Sequence, residues 1–165
     1  MILRGERVLL RPMERSDAPV IARIAAEPAV ARWWGELSQH ELASKAAGDD
    51  VVALVVEASG AAIGMIQYFE EPDPVYRHAS IDLFLSALQH GRGLGREAVA
   101  VVVDHLFHVL GHHRVTVDPA AANLQAISCY SAVGFTPVGV MRRYERGPDG
   151  GFHDGLLMEL VREPQ

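Results

Sequence analysis

A chain of 165 residues with 49% hydrophobic and 22% charged side chains carries enough apolar surface for one folded core, which excludes an intrinsically disordered chain, and is short for two domains. Fifteen Lys and Arg against 21 Asp and Glu give a formal net charge of −6, which argues against sequence-independent nucleic-acid binding and suits a cationic partner. The single cysteine, Cys129, excludes an internal disulfide framework, while charges in "MILRGERVLLRP" and the lack of a long apolar run argue against a signal peptide or membrane span, so a soluble cytoplasmic protein is expected.

In chain order, "ERVLLRPM" reads as a strand and "RSDAPVIARIAAEP" as a helix, with Ser16 or Asp17 as its cap and Pro19 in its first turn. In "ARWWGELSQHELASKAAG", Ser38 and Glu41 stand at capping-box spacing and Gly48 is the stop, which predicts a second short helix and leaves Trp33 and Trp34 in the loop before it. "VVALVVEA" and "AAIGMIQYF" form a hairpin across Ser59 and Gly60. The prolines of "EEPDPVYRH" mark a loop, and "ASIDLFLS" resumes strand alternation. "LQHGRGLGREAVAVVVDHLF" is a glycine turn opening a helix, which Gly111 ends before the strand "HRVTVD". "NLQAISCYSAVGF" is a helix between Asn123 and Gly134, and two strands around "GPDGG" close the chain. The expected order is β-α-α-β-β-β-α-β-α-β-β: an α/β or α+β domain over residues 1–165, with a mixed sheet of about seven strands and about four helices.

At a helix start the first amides lack partners and the dipole favours negative charge, so "GRGLG" can wrap phosphate oxygens, with Arg92 and Arg96 adding charge. It lacks the GK[ST] of a P-loop and the spacing of a dinucleotide fingerprint, and a turn that uses Gly only to reach positive φ would read the same. Asp82 interrupts an otherwise apolar strand although aspartate is a poor strand former, and it falls on the side opposite Ile81, Leu83 and Leu85. Asp118 precedes Pro119, which is also ordinary turn chemistry.

The glycine turn and "DPAAANLQAISCYSAVGFTPVG" together resemble the GCN5-related N-acetyltransferase (GNAT) superfamily, over nearly the whole chain. One departure is His90, with Gln89 beside it, where the family usually has Gln or Arg three residues before Gly93. The resemblance implies a mostly antiparallel GNAT-type sheet and acetyl-CoA as cosubstrate, with no metal. It assigns cofactor contacts to Leu83, Phe84 and Leu85, to His90, Gly91, Arg92, Gly93, Leu94, Gly95 and Arg96, and to Asn123, Ala126 and Tyr130. It further implies a backbone amide exposed between two splayed central strands, and Tyr130 as proton donor to the leaving thiolate.

Within the superfamily, "RWWG", "DPVYRHASIDLFL" and "TVDPAAANLQAISCY" resemble the aminoglycoside 6′-N-acetyltransferases. That likeness makes Asp82 the base and places Asp118 at the antibiotic pocket. It implies transfer of an acetyl group to a small cationic amine, with Trp33, Trp34, Gln67, Glu70, Asp73, Asp82 and Asp118 as acceptor contacts. Glu70, Glu71 and Asp73 form an acid-rich loop suited to gathering a polycation, and one indole is expected under a sugar ring while the other covers core. Cys129 packs as a small apolar residue, His153-Asp154 belongs to an exposed hairpin, and His108, His112 and His113 lack a carboxylate in register for metal. The alternatives are a peptide amino-terminal acetyltransferase of the ribosomal-protein type, which "MRRYERGPDGGFHDGLLMELV" also resembles, and a non-catalytic acyl-CoA sensor. Neither nucleic acid nor membrane is an expected partner, and the protein is a monomer or homodimer.

Overall fold

The computed structural model describes residues 1–48 and 50–164. Its centre is one twisted sheet of eight strands: β1 (Leu3–Arg4), β2 (Val8–Pro12), β3 (Val52–Ala58), β4 (Ala61–Glu70), β5 (Ala79–Leu85), β6 (Arg114–Val117), β7 (Thr136–Arg146) and β8 (Phe152–Val161). They lie in the order β1-β2-β3-β4-β5-β6-β8-β7, antiparallel throughout except for the central β5–β6 pair. The extra strand beyond the expected seven is the two-residue β1, too short to show a period in sequence.

Five helices cover the sheet: α1 (Ala18–Ala25), α2 (Pro28–Trp34), α3 (Gln39–Ala47), α4 (Leu94–His108) and α5 (Leu124–Val133). On one face Ile21, Ile24, Val30 and Leu42 pack with Val55, Met65 and Phe84; on the other Val99, Val102, Leu106 and Tyr130 pack with Leu54, Ile66, Ile81 and Val115. Alternation along β4 and β5 feeds the two cores, since odd residues of β5 (Ile81, Leu85) join one cluster and Phe84 the other.

The expected capping box forms at α3, where Ser38 Oγ accepts from the Glu41 N–H (3.1 Å) and Glu41 accepts from the Ser38 N–H (2.7 Å). Asp17 stands before α1 without capping it; its carboxylate is held by Arg11 (2.8 Å to each oxygen) and by the Glu14 N–H (2.8 Å). The Trp pair is not in a loop. Pro28 starts a helix rather than ending one, with its fixed φ suited to a first helical position, and Gly35 stops it. Trp33 and Trp34 therefore sit on the last turn of α2, and Trp34 packs edge-on against Phe84 (5.0 Å between ring centres).

Candidate active site

The two central strands stay paired only at Ala79–Val115 and Ser80–Thr116. Ser86 donates its N–H to the Ile63 carbonyl of β4 (2.8 Å), so by the two-residue alternation the amides of Leu85 and Leu83 turn toward the gap that opens past Ser80. That gap is a natural place for an external acceptor atom, because the ladder no longer takes up these donors.

One cleft of 440 Å³ runs from this gap along the starts of α4 and α5. Its lining includes Phe84, Leu85, His90, Gly91, Gly93, Leu94, Gly95 and Arg96, and on the far side Asn123, Ala126, Cys129 and Tyr130. Gly93 occupies the position before α4 at φ +78°, a region that only glycine enters without strain, and offers no side chain to cap the helix. The first bond of the helix runs from the Glu97 N–H to Gly93 (3.1 Å), which leaves the Leu94, Gly95 and Arg96 amides without helical partners. Uncapped amides at the positive end of a 15-residue helix fit phosphate oxygens.

The turn is braced from the start of β2. Glu97 accepts the Arg7 N–H (2.6 Å), the Val8 N–H (3.1 Å) and the Arg7 guanidinium (3.0 Å), and Arg7 in turn donates to the Arg92 carbonyl (2.7 Å). His90 bonds the Leu85 carbonyl (2.9 Å) and ties the turn to β5.

A second recess, of 570 Å³, meets the first at Trp33, Trp34, Leu83, Asn123, Ala126 and Tyr130. Its polar walls are Asp82, Asp118, Asn123, Tyr144, Glu145 and Arg146. Asp82 stays accessible at the floor of this recess, yet the surrounding protein strips enough of its hydration to push its carboxyl up to about 7, helped by the nearby charges of Asp118 and Glu145. Glu145 is itself raised, by burial and by Asp118. Tyr144 donates its hydroxyl to Asp118 (2.7 Å), and that bond, with burial, pushes the phenol up to about 12. Tyr130 is buried, edge-on to Phe135, and held well above the ordinary phenol range by burial and then by Asp82. Burial pushes the Cys129 thiol up to about 11, so it stays a neutral wall residue.

The structure thus brings Asp82, Asp118, Tyr130, both tryptophans and most of the glycine turn to one continuous cavity. It does not bring Glu70, Asp73, Gln67 or Arg92 there. Glu70 pairs with the buried His112 (2.7 Å), and Asp73 closes its own loop by accepting the Val75 N–H (2.9 Å). Gln67 lies beside Asp82 across the strands but accepts from Lys45 (3.0 Å), and the Arg92 side chain turns to Gln89 (3.0 Å). Sequence reasoning missed Tyr144 and Glu145. Tyr144 lies within an irregularity in β7 that no period reveals and Glu145 directly after it, and their only sequence signal was an aromatic and an acid in an otherwise basic segment. Among the described residues no group of three or more His, Cys, Asp or Glu is arranged to hold a metal ion.

Comparison with known proteins matches residues 7–136 to the family described as Acetyltransferase (GNAT) domain. Aminoglycoside N(6′)-acetyltransferase type 1 of Klebsiella pneumoniae is 29% identical, over 88% of this chain and 80% of the relative. Spermidine N(1)-acetyltransferase of Escherichia coli is 28% identical, over 92% of this chain and 84% of the relative. Among solved structures, the aminoglycoside acetyltransferase AAC(6′)-Ib in complex with coenzyme A and kanamycin superposes with a TM-score of 0.77 at 26% identity, covering 94% of this chain and 95% of that one.

Proposed function

From the premise that the chain belongs to the GNAT acetyltransferase family and is an acetyl-CoA-dependent N-acetyltransferase, we propose that its acceptor is a small polycationic amine, an aminoglycoside acetylated at its 6′-amine. The observation that carries this reading is the recess where Asp82, Asp118 and Glu145 converge beside Leu83 and Tyr130. Three carboxyl groups against the cation Arg146 leave the recess acidic on balance, which suits an acceptor with more than one ammonium group. Trp33, with the Arg32 guanidinium over one face of its ring (4.4 Å), and Trp34, edge-on to Phe84, line the recess with indole surface, which suits a sugar ring better than a linear polyamine.

Acetyl-CoA, when bound, supplies an activated thioester, and the chain's own groups do the rest. An alkylamine with a pKa of roughly 10 is protonated at neutral pH and must lose a proton to become a nucleophile. Asp82, with its carboxyl near 7, is matched to accept that proton at physiological pH. The Leu83 amide, turned into the gap where it also favours the charged form of Asp82, can donate to the oxygen on which negative charge develops. Tyr130 stays protonated and donates a hydrogen bond to the departing sulfur; a phenol raised this far stabilises a thiolate better by donating than by surrendering its proton.

The test is CoA release with acetyl-CoA and a panel of aminoglycosides, spermidine and amino-terminal peptides. Turnover is expected to be fastest with an aminoglycoside bearing a free 6′-amine and lost when that amine is absent. Faster turnover of spermidine or of a peptide would move the acceptor to that class.

A further inference from the structure

The last hairpin holds an irregularity that the chemistry above leaves unexplained. Met141 pairs with Gly155 and Glu145 with His153, so Arg142, Arg143 and Tyr144 of β7 stand opposite the single residue Asp154 of β8. Among the described residues Arg143 is one of two non-glycine positions with positive φ (+49°), a conformation unfavourable for a long side chain. The Asp154 carboxylate accepts the Arg143 N–H (2.9 Å) and holds it there. Through its main chain Asp154 also fixes the loop after Asp118, its carbonyl accepting the Ala121 N–H (2.8 Å); two residues on, Leu156 donates its own N–H to the Pro119 carbonyl (2.8 Å). One residue therefore ties together the two segments whose side chains meet as Tyr144 and Asp118. Gly155 completes the seat, because a Cβ there would come within 2.9 Å of the Tyr144 ring.

We propose that Asp154 is a positioning residue for the acceptor recess: by accepting the Arg143 amide it holds the bulge that aims Tyr144 at Asp118 and turns Glu145 into the recess, and so sets acceptor affinity. Asp154 itself takes no part in proton transfer. The inference rests on the proposed acceptor site, and its test includes a readout independent of acetylation.

Asp154→Ala is expected to raise the acceptor KM about tenfold, the worth of one charge-assisted hydrogen bond, with little change in kcat or in acetyl-CoA affinity. Asp154→Asn keeps an oxygen able to accept the amide and should restore the KM. Adding Arg143→Gly to Asp154→Ala should recover part of it, because glycine enters positive φ without a hydrogen bond to hold it. Gly155→Ala, which crowds the Tyr144 ring directly, should reproduce the KM defect with Asp154 intact. The independent readout is the Tyr144 phenol, followed by tyrosine ring-carbon NMR and assigned with Tyr144→Phe; its titration should move from about 12 down toward the ordinary value in Asp154→Ala. An unchanged KM and titration in Asp154→Ala would overturn the proposal, as would an Asp154→Asn variant impaired equally with Asp154→Ala. If the wild type acetylates no member of the panel, the acceptor assignment fails, while the Tyr144 titration still decides whether Asp154 holds the bulge.

Discussion

As the proposed base, Asp82 combines two demands that oppose each other. A base must shed its proton near neutral pH, yet the desolvation that brings its carboxyl to about 7 also makes its charged form unfavourable in the folded chain. Asp82→Asn is expected to lower kcat by about 10² to 10⁴, the usual worth of a general base, and to remove the limb of the rate profile that rises through pH 7. Partial recovery at high pH, where the free amine accumulates unaided, separates loss of a base from loss of a contact. The same substitution should stabilise the fold. An unfolded Asp titrates near about 4, so between that value and 7 the folded state holds the extra proton and wild-type stability falls as pH rises. Melting curves should therefore place Asp82→Asn above wild type at pH 8, with the difference gone at pH 4. Tyr130→Phe keeps the ring against Phe135 and should lower kcat while acetyl-CoA affinity holds; a fall in affinity alone would assign Tyr130 to packing. The sequence singles out Asp82 as an acid in a strand and Tyr130 through the family-like motif around it, and the fold brings the two to one recess. Tyr144 was not legible there, since its direction depends on a bulge.

At the scale of elements, the glycine turn works through what it omits. Gly93→Asp places bulk and negative charge where the uncapped α4 amides face the cleft, and calorimetry should detect no acetyl-CoA binding by the folded variant. The brace behind the turn predicts a different defect. Glu97→Ala leaves the Arg7 and Val8 amides without their acceptor, which should cost about 1–3 kcal/mol of stability and loosen acetyl-CoA binding without affecting acceptor KM. Equal stability of the two chains in denaturant would remove the brace from the account. Helix α3 was read correctly because its cap is chemically explicit, whereas α2 was missed because Pro28 punctuates a helix start and a helix stop with the same letter.

At the scale of the whole molecule, alternating periods made a mixed sheet legible, and the structure assigns its parallel pair to β5 and β6, with a helix between them. The short length of that pairing was not legible, because where two strands part is decided by packing on both faces. The net charge of −6 and the predominantly acidic recess would act together on the proposed cationic acceptor, so its KM should rise with ionic strength while that of acetyl-CoA does not rise in parallel. Stopped-flow or steady-state rates across a salt series would check this.

The outermost strand, β7, breaks register twice, between Pro137 and Gly139 and again between Met141 and Glu145. A regular edge of 11 residues, exposed along most of its length, would present an unbroken row of free donors and acceptors to any other extended chain. The two irregularities interrupt that row, and Arg142, Arg143 and Arg146 add charge along it. The kink that orients the acceptor recess thus also guards solubility: variants that straighten it risk fibrillar stacking on storage before they lose their fold.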